Sequence, residues 1–137
     1  MKGFKFIDSI TSDVMYEAYG KDLKELFNNS AAALFSVICK IELIKPKEKR
    51  EVYVKADNLE ELMINWLQYL IAMVDTEELF ICKFEIKKID ETSLKAVVYG
   101  EQITPEKGDT VVKAVTYYKF KLERDKKRYK VTVSLDI

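Results

Sequence analysis

Leu59-Glu60-Glu61-Leu62-Met63-Ile64-Asn65-Trp66-Leu67-Gln68-Tyr69-Leu70-Ile71-Ala72-Met73-Val74 is the stretch that decides the fold. Leu59, Leu62, Met63, Trp66, Leu70 and Met73 recur at helical spacing as one apolar stripe, and Ile64, Leu67 and Ile71 widen it. A helix this apolar has to be covered on more than one side. Glu60, Glu61, Asn65 and Gln68 interrupt it, and it is too short to span a bilayer. Asn58 with Glu61 three residues on supplies a capping box at its start.

Beyond the polar connection Asp75-Thr76-Glu77-Glu78 the pattern turns to strands. Leu79 to Ile89, a turn near Asp90-Glu91, and Ser93 to Tyr99 read as one pair. After the loop Thr104-Pro105-Glu106-Lys107-Gly108-Asp109, Val111 to Glu123 and Tyr129 to Ile137 form a second pair around the charged turn Arg124 to Arg128. Short turns between successive strands favour antiparallel neighbours. On the N-terminal side, Glu51-Val52-Tyr53-Val54-Lys55 alternates as a strand behind the charged turn Lys45-Pro46-Lys47-Glu48-Lys49-Arg50. Asp22 and Glu25 cap a first helix, roughly Leu23 to Cys39, striped by Leu26, Phe27, Ser30, Leu34, Val37 and Ile38. Phe4 to Ile7 is a short strand; Asp13 to Tyr19 is another, ended by Gly20. The expectation is an α+β fold, with two helices packed on a largely antiparallel β-sheet in a single domain over residues 1–137.

Composition narrows the function. The 137 residues are 48% hydrophobic and 34% charged, with 23 basic and 23 acidic side chains and a formal net charge of zero. Direct nucleic-acid binding by bulk charge is therefore not expected to dominate, although a local patch remains open. The chain has no histidine, which removes Ser-His and Cys-His nucleophilic catalysis and most transition-metal sites. Gly3, Gly20, Gly100 and Gly108 are isolated, so no phosphate loop is present. Cys39 and Cys82 each sit in an apolar run without CxxC spacing and read as small buried hydrophobes. Met1 to Asp8 lacks the apolar core of a secretion signal, and the expectation is a soluble, cytoplasmic, non-enzymatic protein with no membrane association.

Candidate functional residues lie at strand ends. Lys130, Thr132, Ser134 and Asp136 alternate with Val131, Val133, Leu135 and Ile137 on the last strand. Asp13 follows Thr11 and Ser12 on the polar face of the second strand. The α-carboxylate of Ile137 adjoins that of Asp136, and two unit charges about 4 Å apart repel by about 4 kcal/mol at an effective dielectric near 20. Held together, such groups need a cation or a cluster of donors; otherwise they sit in water at the end of a strand. Should the two strand ends meet, Asp13, Asp136 and Ile137 offer oxygen ligands only, a set suited to calcium or another hard divalent cation. Lys113, inside Val111-Val112-Lys113-Ala114-Val115, is a candidate functional lysine, desolvated unless its ammonium is paired or reaches water.

Ile10-Thr11-Ser12-Asp13-Val14, Ala18-Tyr19-Gly20, Leu23 to Phe27 and Ala31 to Phe35 resemble the opening of the archease family. Leu59 to Leu62, Trp66-Leu67, Asp75-Thr76-Glu77, Val112 to Tyr117 and Leu135-Asp136-Ile137 continue the likeness in order along the whole chain. The resemblance implies an α+β accessory protein that promotes guanylylation and turnover of an RtcB-type tRNA-splicing RNA ligase. It also implies a calcium site on Asp13, Asp136 and Ile137. Where relatives often carry histidine, this chain has Ile10, Val74 and Tyr118. Two other functions stand beside it: a general chaperone or modulator of RNA-modifying enzymes, and a small metal-dependent hydrolase using Asp13 and Asp136.

Overall fold

The computed structural model describes residues 3–7 and 13–137. In chain order the elements are strands β1 (Phe4–Ile7) and β2 (Val14–Gly20), helix α1 (Leu23–Ile38), strand β3 (Glu48–Lys55), helix α2 (Leu59–Thr76), and strands β4 (Leu79–Ile89), β5 (Ser93–Gln102), β6 (Ala114–Arg124) and β7 (Tyr129–Asp136). Single turns of 3-10 helix at Ile41–Leu43 and Pro105–Lys107 fill two of the connections.

The α+β expectation holds, with one refinement: the strands divide between two antiparallel sheets. One has the order β1-β2-β7-β6 and the other β3-β5-β4. Both helices lie between them. Helix α1 packs on β2 of the first sheet and β4 of the second; α2 packs on β6 of the first and on β3 and β4 of the second. This is the two-sided cover that the width of the α2 stripe demands. Trp66 and Phe27, both fully buried, join the helices where the Trp66 indole N–H donates to the Phe27 carbonyl at 3.0 Å. The Tyr16 hydroxyl ties β2 to α1 through the Ser30 carbonyl at 3.0 Å. Inward residues of every layer merge into one continuous core.

Both helix starts form as their caps dictate. The Asp22 carboxylate accepts from the Glu25 N–H, and the Asn58 amide oxygen from the Glu61 N–H, each at 2.9 Å. Each bond satisfies a backbone donor that has no partner within its helix. Several boundaries differ from the sequence expectation. Helix α2 continues through Asp75 and Thr76, which were expected in the connection. Strand β3 begins at Glu48, inside the expected charged turn. Strand β6 begins at Ala114, leaving Val111 outside it and 79% exposed.

Candidate metal centre

The β2/β7 register decides whether the two strand ends meet. Val14 pairs with Leu135, Tyr16 with Val133 and Ala18 with Val131, so the apolar residues of both strands face the helices together. One step beyond Val14 stands Asp13, which this register sets opposite Asp136. On the other side of β7, Ala114 pairs with Asp136, and the Lys113 backbone N–H donates to the Asp136 carbonyl at 2.8 Å. Asp13, Asp136 and Lys113 therefore share one end of the four-stranded sheet. Both aspartates are half-buried.

This end of the sheet is anchored from several sides. The Ile137 side chain packs against the core, which ties down the last residue. The Val115 backbone N–H donates to the Gln68 side-chain oxygen of α2 at 2.5 Å, fixing the start of β6. Ser134, expected on an open polar face, is fully buried and donates to the Tyr118 carbonyl at 2.8 Å. Its cover is a bulge: between the pairs Thr116–Ser134 and Lys121–Thr132, β6 carries extra residues that loop outward. At its tip Lys119 has φ 53°, while Tyr117 and Tyr118 are 72% and 50% exposed. Sequence reasoning overlooked both Gln68 and the bulge. The available signal was the run Tyr117-Tyr118-Lys119-Phe120, four large residues that break the alternation.

Lys113 is exposed, so the desolvated alternative for it does not apply. What links it to Asp136 is its backbone, and its ammonium is free to face solvent. Farther along the same outer sheet face the charges are paired. Glu17 lies 3.7 Å from the Lys5 ammonium and 3.8 Å from that of Lys130. Its carboxyl is held below the usual range chiefly by the Tyr19 hydroxyl, which donates to it at 2.7 Å, and then by the two lysines. Burial and that same bond push the Tyr19 phenol up to about 12.

The donor chemistry suits a hard cation. Carboxylates directly opposite across an antiparallel pair repel, and an ion bound by oxygen converts that repulsion into coordination. Among the described residues no three Asp, Glu or Cys side chains are grouped to hold a metal. A third protein donor beside Asp13 and Asp136 would thus be a neutral side-chain, backbone or terminal oxygen. The family resemblance implies the carboxylate on Ile137 for this place, while the Asp136 carbonyl accepts from the Lys113 N–H. Of the positions for which the resemblance implies histidine, Ile10 lies outside the described residues, and Tyr118 is on the bulge. Val74 borders an apolar cleft of about 340 Å³ that Phe80 and Val112 also line. Cys39 is buried and Cys82 half-buried, both as free thiols, as their apolar surroundings suggested.

The model of the Archease protein family matches residues 4–137. The chain belongs to the archease family. It is 37% identical to the protein archease of Sulfurisphaera tokodaii over 141 residues, covering all of both chains. A solution structure of a Methanobacterium thermoautotrophicum protein superposes with a TM-score of 0.85 at 35% identity, again over all of both chains. A crystal structure of an archease from Thermotoga maritima, described as a possible chaperone, has the same fold at 22% identity, with a TM-score of 0.69 over 93% of this chain and 92% of that one. No helix of this archease, among the described residues, is long and apolar enough to cross a membrane.

Proposed function

We propose that this archease is a non-enzymatic, cytoplasmic accessory protein that activates an RtcB-type tRNA-splicing RNA ligase by promoting its guanylylation and turnover. A divalent cation, calcium in the first instance, is held by Asp13, Asp136 and the Ile137 carboxylate. The observation that carries this reading is the register that sets Asp13 opposite Asp136 beside a core-anchored Ile137. Two opposed carboxylates at a pinned strand end supply the oxygen donors that a hard cation takes. Lys113, at the same end and exposed, is placed to meet an anionic group of the partner.

Family membership supports the accessory role, and the absence of histidine from the chain leaves little for independent catalysis. The test is guanylylation of a purified ligase with GTP, with and without this protein at substoichiometric amounts. Faster guanylylation, together with no turnover of nucleotide or RNA by the protein alone, is the expected outcome. Robust hydrolysis by the protein alone that Asp13→Ala abolishes would replace this reading with the metal-dependent hydrolase.

A further inference from the structure

The outward face of the three-stranded sheet is arranged in cross-strand rows. Lys49, Tyr99 and Lys83 form one row, and Tyr53, Lys95 and Lys88 another. Between them Glu51 and Glu85 flank Val97. Lys55 continues the face opposite Ser93, and Lys87 stands at a bulge beside Glu85, 3.4 Å from its carboxylate. Apart from Glu101, which Lys107 neutralises, six lysines against two glutamates leave this face at +4 in a chain of zero net charge. The other sheet has no such excess, since its Lys5, Lys121 and Lys130 pair with Glu17 and Glu123.

Stability alone does not explain the arrangement. Lys88 and Lys95 sit directly opposite one another, where like charges cost free energy. Among the described residues, Lys49, Lys55, Lys88 and Lys95 have no carboxylate within ion-pair distance. The aromatic rings lie among these cations. Tyr53, 52% exposed, has the Lys55 and Lys95 ammoniums 5.5 and 5.7 Å from its ring centre. The Tyr99 ring has Lys83 at 4.9 Å, and its hydroxyl donates to Glu85 at 2.7 Å, which fixes the ring.

We propose that this face binds single-stranded nucleic acid, with bases stacking on Tyr53 and Tyr99 and phosphates meeting the lysines around them. An open sheet face bearing aromatic rings among cations offers both contacts an unpaired strand makes, whereas a duplex keeps its bases out of reach. An acidic protein or an anionic membrane would use the lysines and leave the rings without a role. The inference does not rest on the ligase reading, because its test contains no ligase.

The probe is a fluorescent oligouridine RNA of about a dozen nucleotides, titrated with the purified protein and followed by anisotropy at several salt concentrations. Binding is expected, with a log–log salt slope of about −3, from roughly 0.7 per phosphate and about four contacts. Tyr53→Leu weakens it about fivefold or more with little change in slope. The combined Lys49→Gln, Lys55→Gln and Lys95→Gln variant flattens the slope. Lys126→Gln with Lys127→Gln, in the β6–β7 turn, leaves binding unchanged. Melting temperatures confirm that each variant folds. No binding at low salt, full binding by Tyr53→Leu, or equal loss in the turn variant would overturn the proposal. So would tighter binding of polyglutamate or of phosphatidylserine vesicles, which would assign the face to an acidic protein or a membrane.

Discussion

Glu101 is a charged residue withdrawn from water, and its partners explain how the fold tolerates it. Its carboxylate accepts from the Lys45 backbone N–H at 2.6 Å and from the Lys107 ammonium at 3.1 Å. It thereby fastens two connections, one before β3 and one before β6, to strand β5. These two donors, the backbone one first, hold its carboxyl below the usual glutamate range. The sign of the linkage follows. A depressed folded-state pKa contributes stability above the unfolded value, about 4.3, and that contribution disappears as pH falls through the folded value. Glu101→Gln is therefore expected to melt below the parent at neutral pH, with the difference closing in acid below about pH 4. Thermal melts of both proteins across this range check it; a difference independent of pH would mean that the carboxylate charge contributes nothing. Nothing in Tyr99-Gly100-Glu101-Gln102 announces this role, because the partners lie in other segments.

At the scale of elements, what the sequence reveals depends on whether the signal is local. Caps and stripes are local, and Asp22, Asn58 and the wide apolar face of α2 were sufficient to place both helices. Alternation is local too, and it assigned the core-facing residues along β2 and β7, though not the burial of Met15 and Ser134 on the opposite face. Which strands pair is not local, so one expected sheet proved to be two. The start of β3 was hidden for a related reason. Its inward residues there are charged, and Arg50 bonds Glu48 at 3.2 Å and Glu77 at 2.8 Å at the margin of the core. The bulge in β6 was equally hidden, since its geometry depends on β7. Lys119 at its tip has φ 53°, a left-handed conformation that costs a residue with a Cβ about 1 kcal/mol. Lys119→Gly is accordingly expected to match or exceed the parent in stability, and Lys119→Val to fall below both. Urea midpoints decide the order; a valine variant as stable as the glycine variant would show that the bulge imposes no such conformation.

At the scale of the whole molecule, the charges separate even though their sum is zero. One sheet turns a lysine-rich face outward. The other gathers Asp13, Asp136 and the terminal residue at one end, with Lys113 beside them. The sequence indicated this acidic site through its types of residue, and the β2/β7 register then brings the two aspartates together. Should the three carboxylates share an ion, binding stabilises the folded state by RT ln(1 + [L]/Kd), about 2.7 kcal/mol at a hundredfold excess over Kd. Calcium titrations of the melting temperature are expected to show this rise in the parent. Asp13→Ala and Asp136→Ala should each lose most of it, and the double variant should be little worse than either, because partners in one network are not additive. Extending the chain past Ile137 tests the third donor separately. The terminal carboxylate then becomes a neutral amide whose carbonyl still coordinates but carries no charge, and charge count tunes calcium affinity. The extended protein should fold, melt near the calcium-free parent and need more calcium for the same shift, while the same extension before Met1 changes nothing. A full calcium response in both aspartate variants would remove the metal centre. A full response in the extended protein alone would remove only Ile137 from it, leaving the two opposed aspartates as the protein's ligands.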